Sequence, residues 1–444
     1  MPYTNIANYR SVAEAFDALS PRTRTVITPV AGAAGTAMAA EAMSPDGSAD
    51  PAAITPEFRA LLSQALSSLE KQQHAEGVLA SSQDPVASLM QSYLIENPPG
   101  GVVKGNPVIT GPMVTTEVKY DEHDVLGWIG SFFSWWRQIR KQDWKAPPTA
   151  PEAIGNGDFM RVGVVSDWGS GLYGAPVISQ TIQADPVRFD ALLHLGDVYY
   201  SGTKGEAQQN FLDVWPKRPE ALQRTLNGNH EMYTGGDGYF NIMLPAFAQN
   251  QSCVAITNKH WLLLGLDSAY VDSALTPDQG PWATQLVTQA NAAGKKVVLF
   301  SHHQPFSMLD SQSPNVVAPL SALLSGGMVT AWYWGHEHRC VVYDKHPTWN
   351  LFGRCIGHGG YPAFRDTDAI KGWPDAPTGK PWRRFETKNL VPGGIMLDAP
   401  NPYIKGEEDK YGANGYVTLL FDGPHMTEEM RNPDGTVILT QKIA

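Results

Sequence analysis

The sequence predicts a mixed α/β fold over residues 156–444, preceded by a largely helical or irregular N-terminal extension over residues 1–155. Two observations predict the fold. Apolar, β-branched runs alternate with helical stretches between residues 158 and 345, which indicates a sheet with crossover helices. Short polar segments follow several of these runs where the strands would end, and binding sites of open α/β sheets lie at that edge.

The N-terminal extension contains an unusual aromatic segment. Helix-like pieces, Ser11–Leu19 and Thr55–Gln73, are separated by connections rich in Ala, Gly and Pro. Val125–Trp144 then carries several Trp and Phe residues beside Arg and Lys. We expect a helix that packs its aromatic face on the rest of the protein; a lid over a site and a membrane-surface helix are the alternatives. Ala146–Pro151 predicts a stiff linker.

The second region is expected to continue from crossover units into hairpins. Pro281–Ala293 predicts a helix before the strand Lys296–Phe300. Residues 346–444 are richer in Gly and aromatic residues and end in two alternating runs, Tyr416–Phe421 and Thr436–Thr440. An Asp-Gly pair follows the first run and another precedes the second, and such pairs are typical of hairpin turns.

Five short segments contain side chains of the types that commonly bind metal ions. They are Ser166–Gly169, Gly196–Tyr200, Gly228–Glu231, Ser301–Pro305 and Gly335–His338. Each segment alone has a plain alternative, such as a helix cap, a turn or a solvated histidine. Their coincidence in one chain is improbable without a site. Asp, Tyr, Asn and several His together suit two metal ions that share a carboxylate.

The order and spacing of these segments resemble the calcineurin-like metallophosphoesterases, and within them the purple acid phosphatase branch. Many members of the superfamily begin with Asp-x-His, whereas Gly169 stands two positions after Asp167 here. The purple acid phosphatases have Gly-Asp-x-Gly instead, and take a replacement tyrosinate ligand from Gly-Asp-x-x-Tyr. Asp197 and Tyr200 have that spacing. One departure is Ser166, where the branch usually has Gly.

The resemblance implies a four-layer αββα sandwich of two mixed sheets, completed by residues 346–444, and a centre of two metal ions. The first ion would be held by Asp167, Asp197, Tyr200 and His338, and the second by Asp197, Asn229, His336 and either His302 or His303. Asp197 would bridge them. Tyrosinate favours Fe(III) at the first position, and a divalent Fe, Zn or Mn suits the second. Relatives with consecutive histidines use the first one, so we expect His302, although alignment on Pro305 favours His303.

The resemblance also implies residues that contact the substrate. His230 would bind a phosphate oxygen or protonate the leaving group, and Asp197 would take part in catalysis as the bridging ligand. His303 would take a catalytic or substrate-binding role if His302 is the ligand. His358 lies in the glycine-rich segment Gly357–Pro362 and is a further candidate for substrate contact, although a plain turn is an equal alternative.

The composition of the chain limits the classes of binding partner that we expect. The chain has 444 residues with a net charge of -11, and binding to nucleic-acid phosphates or anionic membranes needs a cationic surface. No stretch approaches the roughly 18 consecutive apolar residues of a membrane-spanning helix. We therefore expect a small phosphate ester as the partner, no nucleic acid and no membrane. The oligomeric state is left open.

The cysteines and the N-terminus bear on location. Of the 3 Cys, Cys340 and Cys355 could pair in an oxidising compartment, although two buried thiols are the expectation. The run Thr25–Ala40 is a poor export signal because it contains Pro29. We expect a cytoplasmic protein, with export to the periplasm or medium as the alternative.

The function that the sequence favours is hydrolysis of phosphate monoesters by a metal-activated hydroxide, as in acid phosphatases. The first alternative is a phosphodiesterase that acts on nucleotide or phospholipid-type diesters, since the same pair of metals serves both reactions. The second alternative is a catalytically weak protein that binds phosphate ligands and mediates interactions.

Overall fold

The computed structural model describes residues 139–444 except 156 and 366–369, together with positions 85, 88, 89 and 92 and the strand residues 107–110 and 113–116. The expected helices Ser11–Leu19 and Thr55–Gln73 lie outside the described residues. So does most of the aromatic segment Val125–Trp144.

The chain divides into two compact units. The first comprises Met1–Lys141 with the short segments Tyr199–Ser201 and Tyr233–Gly235. Its described residues include an antiparallel hairpin of β1 (Pro107–Thr110) and β2 (Met113–Thr116), in a region expected to be helical or irregular.

The second unit contains all the remaining described strands and begins at Gln142. Residues 142–153 belong to it through specific contacts. Trp144 Nε1 donates to Asp278 Oδ2 (2.9 Å) and its ring packs 5.0 Å from that of Tyr270. Strand β3 (Glu152–Ala153) pairs with a strand of the larger sheet. Trp144, at the described end of the aromatic segment, therefore packs on the second unit, while residues 139–144 are not helical.

A mixed sheet of six strands forms one layer. Its strands are β4 (Phe159–Val165), β5 (Ala191–His194), β6 (Leu222–Thr225), β15 (Tyr416–Asp422), β16 (His425–Arg431) and β17 (Val437–Lys442). The order is β17-β16-β15-β4-β5-β6, in which β4, β5 and β6 are parallel and the hairpin strands are antiparallel.

A mixed sheet of nine strands forms the second layer. Besides β3, its strands are β7 (Val254–Thr257), β8 (Trp261–Gly265), β9 (Lys296–Ser301), β10 (Ala331–Trp334), β11 (Cys340–Lys345), β12 (Phe352–Ile356), β13 (Trp382–Phe385) and β14 (Gly394–Leu397). The order is β13-β14-β11-β12-β10-β9-β8-β7-β3. Strands β8, β9, β10 and β12 run parallel.

Short helices and one long helix connect the strands. The helical elements are α1 (Gly174–Ala184), α2 (Lys204–Glu206), a π-helix (Ala207–Leu212), α3 (Asn229–Met232), a π-helix (Tyr239–Met243), α4 (Leu244–Ala246), α5 (Gln279–Ala292), α6 (Pro314–Val317), a 3-10 turn (Ala318–Leu320) and α7 (Ser321–Ser325). Helix α5 confirms the helix expected over Pro281–Ala293.

Two cores account for the layered packing. Inward-facing residues of both sheets, including Val162, Val298 and Leu419, form one core between the sheets. The opposite face of the larger sheet packs Leu299 against Val287 of α5 and its neighbours. On the outer face of the smaller sheet, helical residues contact strands, and the observed architecture is the expected sandwich of two mixed sheets between helical layers.

The three cysteines are free and buried. Cys340 belongs to the core between the sheets, whereas Cys355 belongs to the core on the helical side of the larger sheet. Their strands are neighbours, but the two thiols lie on opposite faces of the sheet, so the disulfide considered above does not form. Within the described ranges, no helix is both long and apolar enough to cross a bilayer.

Candidate metal centre

The ligand candidates converge at the carboxyl ends of parallel strands from both sheets. Asp167, Asp197 and Asn229 follow β4, β5 and β6, while His302, His336 and His338 follow β9 and β10. The two sheets approach each other closely here. A Cβ atom on Gly335 would lie 1.9 Å from Ser166 Oγ and 2.4 Å from Asp167 Oδ2, so only glycine fits before His336.

One cluster consists of Asp197, His302 and His336, whose ligand atoms lie within 4.8 Å of one another. His302 Nε2 is 3.3 Å from Asp197 Oδ1 and 2.9 Å from Asn229 Oδ1. His336 Nδ1 is 3.0 Å from the same Asn229 oxygen and 3.3 Å from His302 Nε2. Four atoms that can donate electron pairs thus face one small volume.

The tautomer of His302 tests whether this cluster suits a cation. Its Nδ1 lies 2.9 Å from the carbonyl oxygen of Leu195, which only accepts, so Nδ1 carries a proton. Nε2 is then the atom that faces the cluster. Burial lowers the pKa of His302, but the Asp197 carboxylate raises it to about 9 overall, so a proton takes the cation's place in the protein alone. A metal ion would displace that proton, as metal binding to histidine does.

The second cluster consists of Asp167, Asp197 and His338. Asp167 Oδ1 lies 3.4 Å from His338 Nε2, and Ser166 Oγ donates to Asp167 Oδ2 (2.6 Å). Burial raises the pKa of Asp167 to about 7 and lowers the pKa of His338 to about 3. Such burial disfavours the carboxylate anion unless a cation accompanies it. The two clusters share Asp197, as the binuclear arrangement requires.

Four of the ligand candidates have left-handed backbone conformations. The φ angles are 55° at Asp167, 74° at Asp197, 68° at His336 and 51° at His338. Non-glycine residues rarely adopt such angles, and each costs on the order of 1–3 kcal/mol. Backbone outliers of this kind concentrate at functional sites, so the geometry supports a site here independently of the side chains.

The family model of calcineurin-like phosphoesterases matches residues 160–340. Residues 160–340 form a calcineurin-like phosphoesterase domain. The matched range contains all five of the segments that carry the ligand candidates.

Three solved structures are similar to this chain at low identity. A purple acid phosphatase from yellow lupin (Lupinus luteus) seeds is 16% identical, with a TM-score of 0.47 over 66% of this chain and 55% of the lupin chain. A dimetal phosphatase from Danio rerio is 10% identical, with a TM-score of 0.40 over 64% and 98% of the two chains. PhoD is 11% identical, with a TM-score of 0.37 over 66% and 70%. The similarity thus spans about half the length of the lupin protein. No curated protein matches the chain.

Two buried glutamates organise the turns of the phosphoesterase domain. Glu231 Oε2 accepts from the backbone N–H groups of Asp197 (3.1 Å) and Gly228 (2.9 Å), and Oε1 accepts from Val198 (2.9 Å). Glu337 accepts from Trp334 Nε1 (2.7 Å) and from the Ser307 hydroxyl. Both glutamates lie inside the ligand segments, but the sequence indicates no role for them, because Asp197, Val198 and Ser307 lie at least 30 residues away along the chain.

The two histidines expected near the substrate have different surroundings. His230 is fully buried, and its Nε2 lies 3.9 Å from Asp197 Oδ2. His303 is also buried, but its Nδ1 lies 3.0 Å from Ser268 Oγ and its ring lies 4.6 Å from that of His336. The geometry therefore groups His302 with the cluster and leaves His303 beside it.

Three further residues have distinct positions. Tyr200 is buried and belongs to the first compact unit, and its ligand role stays a prediction from the sequence. His358 is buried near Gly415, and neither ring nitrogen has a hydrogen-bond partner among the described residues. Burial lowers the pKa of His358 to about 4. The Tyr361 ring lies 4.0 Å from that of His338, which makes Tyr361 a wall of the centre.

Proposed function

We propose that this protein is a phosphoric ester hydrolase of the purple acid phosphatase type that uses two metal ions and acts on phosphate monoesters. The observation that supports it most is the pair of ligand clusters that share the Asp197 carboxylate. A shared carboxylate holds two cations close together, the arrangement that catalyses hydrolysis of phosphate esters in binuclear enzymes.

The residues divide into two ligand sets. Asp167, Asp197, His338 and, by its spacing in the sequence, Tyr200 would hold Fe(III), and Asp197, Asn229, His302 and His336 would hold a divalent Fe, Zn or Mn ion. When bound, the ions neutralise phosphoryl charge and lower the pKa of a water molecule. The Leu195 carbonyl fixes the orientation of His302, and Glu231 fixes the backbone at Asp197. These contacts prepare the ligands before any ion binds.

His230 would act on the substrate. Its buried ring lies 3.9 Å from the shared carboxylate and belongs to neither ligand cluster. A histidine in that place donates a hydrogen bond to a phosphoryl oxygen or supplies a proton to the leaving-group oxygen.

Metal analysis and kinetics of Asp197→Asn test this proposal. We expect wild-type protein to bind about two metal ions per chain, with a visible tyrosinate band if Tyr200 binds Fe(III). The substitution removes the shared charge, so turnover of p-nitrophenyl phosphate should fall by at least about 100-fold together with the metal content. A turnover number of Asp197→Asn close to that of wild type would contradict the role of Asp197 as the shared ligand.

Two further variants separate binding from chemistry. His230→Ala should lower turnover much more than metal content, and an equal loss of metal would make His230 a ligand instead. The exposed His425→Asn on β16 is the matched control and should behave as wild type. A metal-loaded wild-type protein that hydrolyses no ester in a broad panel would contradict the proposed function.

A further inference from the structure

His303 lies beside the metal clusters but is held by a separate loop. Its backbone N–H donates to Ser268 Oγ (2.9 Å), and its Nδ1 lies 3.0 Å from the same oxygen. Ser268 follows β8, on the loop that leads to α5. Two contacts with one serine fix the direction of the ring.

These contacts also place the proton of the ring. Ser268 Oγ accepts from the His303 backbone N–H and can donate its own hydrogen to Nδ1. The tautomer with the proton on Nε2 uses that donor and also directs the proton toward the Asp272 carboxylate, so we assign the proton to Nε2. Among the described residues, no acceptor completes a hydrogen bond with that buried atom. The nearest carboxylate oxygen is Oδ1 of Asp272, at 3.5 Å.

Asp272 is held far less firmly than His303. It lies at the tip of a tight turn in which Ala274 N–H donates to the Val271 carbonyl (2.9 Å). Its side chain is 86% exposed, whereas that of His303 is 1% exposed. The carboxylate has no other ion pair or hydrogen bond among the described residues. In the described part of the chain, the 3.5 Å contact with His303 Nε2 is therefore the one polar contact that holds this carboxylate.

This arrangement distinguishes two roles for the carboxylate. One that positioned His303 would be buried and tied by several hydrogen bonds, as the partners of functional histidines are. Ser268 already positions the ring of His303 through two contacts. An exposed side chain at a turn tip can swing away, because exposed ion pairs are weak.

We propose that Asp272 occupies the anion position on His303 that a substrate phosphate takes, and that it disfavours phosphates with two negative charges. This inference rests on the proposed function and concerns substrate choice at the same site. The incoming phosphate displaces Asp272 from the Nε2 proton and is repelled by its charge. Since repulsion scales with charge, Asp272 penalises a dianionic monoester more than a monoanionic diester.

Asp272→Asn removes the charge and keeps the shape of the side chain. At about pH 8, monoesters carry close to two charges because their second pKa is about 6. We expect the KM for p-nitrophenyl phosphate to fall about fourfold and that for bis(p-nitrophenyl) phosphate about twofold, since a twofold effect per charge squares for a dianion. The Kd of inorganic phosphate, measured by calorimetry on metal-loaded protein, should fall with the monoester KM. Metal content should stay the same.

Two variants complete the experiment. Val271→Ala changes the neighbouring exposed residue of the same turn and should leave the Kd of phosphate as in wild type. Ser268→Ala frees the ring of His303 and should weaken phosphate binding at constant metal content. Unchanged phosphate binding in Asp272→Asn, an equal effect on both esters, or an unaffected Ser268→Ala would overturn the inference. Weaker binding in Asp272→Asn would overturn it in favour of a positioning role.

Measurements on the wild-type protein distinguish failure of the role assigned to Asp272 from failure of the proposed function. If wild type hydrolyses esters and binds phosphate but Asp272→Asn equals it, only the role of Asp272 is wrong. If metal-loaded wild type neither hydrolyses esters nor binds phosphate, the proposed function fails and the inference with it.

Discussion

At the scale of single residues, the ligand candidates are held by backbone that is unfavourable on its own. Asp197 has a left-handed conformation, and the carboxylate of Glu231 compensates by accepting from its N–H and from two neighbouring N–H groups. Burial, and then the charge of Asp197, raises the pKa of Glu231 to about 8. The conformation of these turns therefore depends on one acidic side chain that belongs to neither ligand cluster.

Glu231→Gln should weaken the site without changing any ligand. The amide has one accepting oxygen, so its NH₂ group would face a backbone N–H, and a buried unpaired donor costs about 1–3 kcal/mol. We expect a lower melting temperature and metal affinity reduced about 10- to 100-fold, measured by thermal unfolding and competition with a chelator.

Glu206→Gln provides the control for that substitution. Glu206 is also buried, and it accepts from Thr203 N–H in a capping box, where glutamine serves equally well. A Glu231→Gln variant that binds metal as tightly as Glu206→Gln would show that the backbone turn does not depend on Glu231.

The sequence predicted residues of the site whose chemistry is visible in short motifs. The geometry brings together Asp167, Asp197, Asn229, His302, His336 and His338. The sequence did not predict roles for Ser268 or Asp272, because a serine and an aspartate on a loop are common and only the fold brings them to His303. His358 lies in a glycine-rich segment, as expected, but its burial near Gly415 follows from packing that no local pattern encodes.

At the scale of elements, hairpins and crossover strands followed the sequence pattern closely. Strands β15 and β17 coincide with the alternating runs, and the Asp-Gly pairs lie in the turns beside them. The pattern did not indicate a buried ion pair. Arg354 of β12 donates to Glu428 of β16 (2.6 Å) across the two sheets, and Tyr333 donates to the same carboxylate (2.5 Å). Charged residues inside strands are ordinarily expected to face solvent.

Breaking this pair should destabilise the sandwich more than replacing both members. Arg354→Met leaves the Glu428 carboxylate buried without its cation, which costs about 3–5 kcal/mol, whereas Arg354→Met with Glu428→Leu removes both charges and costs less. The free energies of unfolding come from denaturant titration. Equal stabilities of the single and double variants would mean that the Glu428 carboxylate costs nothing when it is buried without Arg354.

At the scale of the whole molecule, the stability of the fold should depend on pH. Burial lowers the pKa values of His194 to about 3 and of His346 and His358 to about 4, from an ordinary value of about 6.5. Below about pH 6.5 these histidines bind protons in the unfolded chain but not in the folded protein. The contribution of these three histidines to stability is therefore complete above that pH and is lost as the pH falls toward about 4. An acidic optimum for catalysis would compete with this loss.

His346→Asn should flatten this dependence. Nδ1 of His346 accepts from the N–H groups of Thr348 (3.2 Å) and Trp349 (3.1 Å), and the asparagine oxygen can replace it. A proton that binds the unfolded chain but not the folded protein changes the free energy of unfolding by up to about 1.4 kcal/mol per pH unit. The melting temperature should therefore fall less steeply in the variant between about pH 6.5 and 4.5. His425→Asn on the exposed strand face is the control. The same slope in all three proteins would exclude His346 as a source of the pH dependence.

The separation of Cys340 and Cys355 onto opposite faces of one sheet has a consequence for studies of unfolding. One thiol is enclosed between the sheets and the other between the larger sheet and the helices. A thiol reagent reaches each only when its own layer opens. Labelling rates at the two positions would therefore time the parting of the two sheets and the detachment of the helices as separate events in a single unmodified chain.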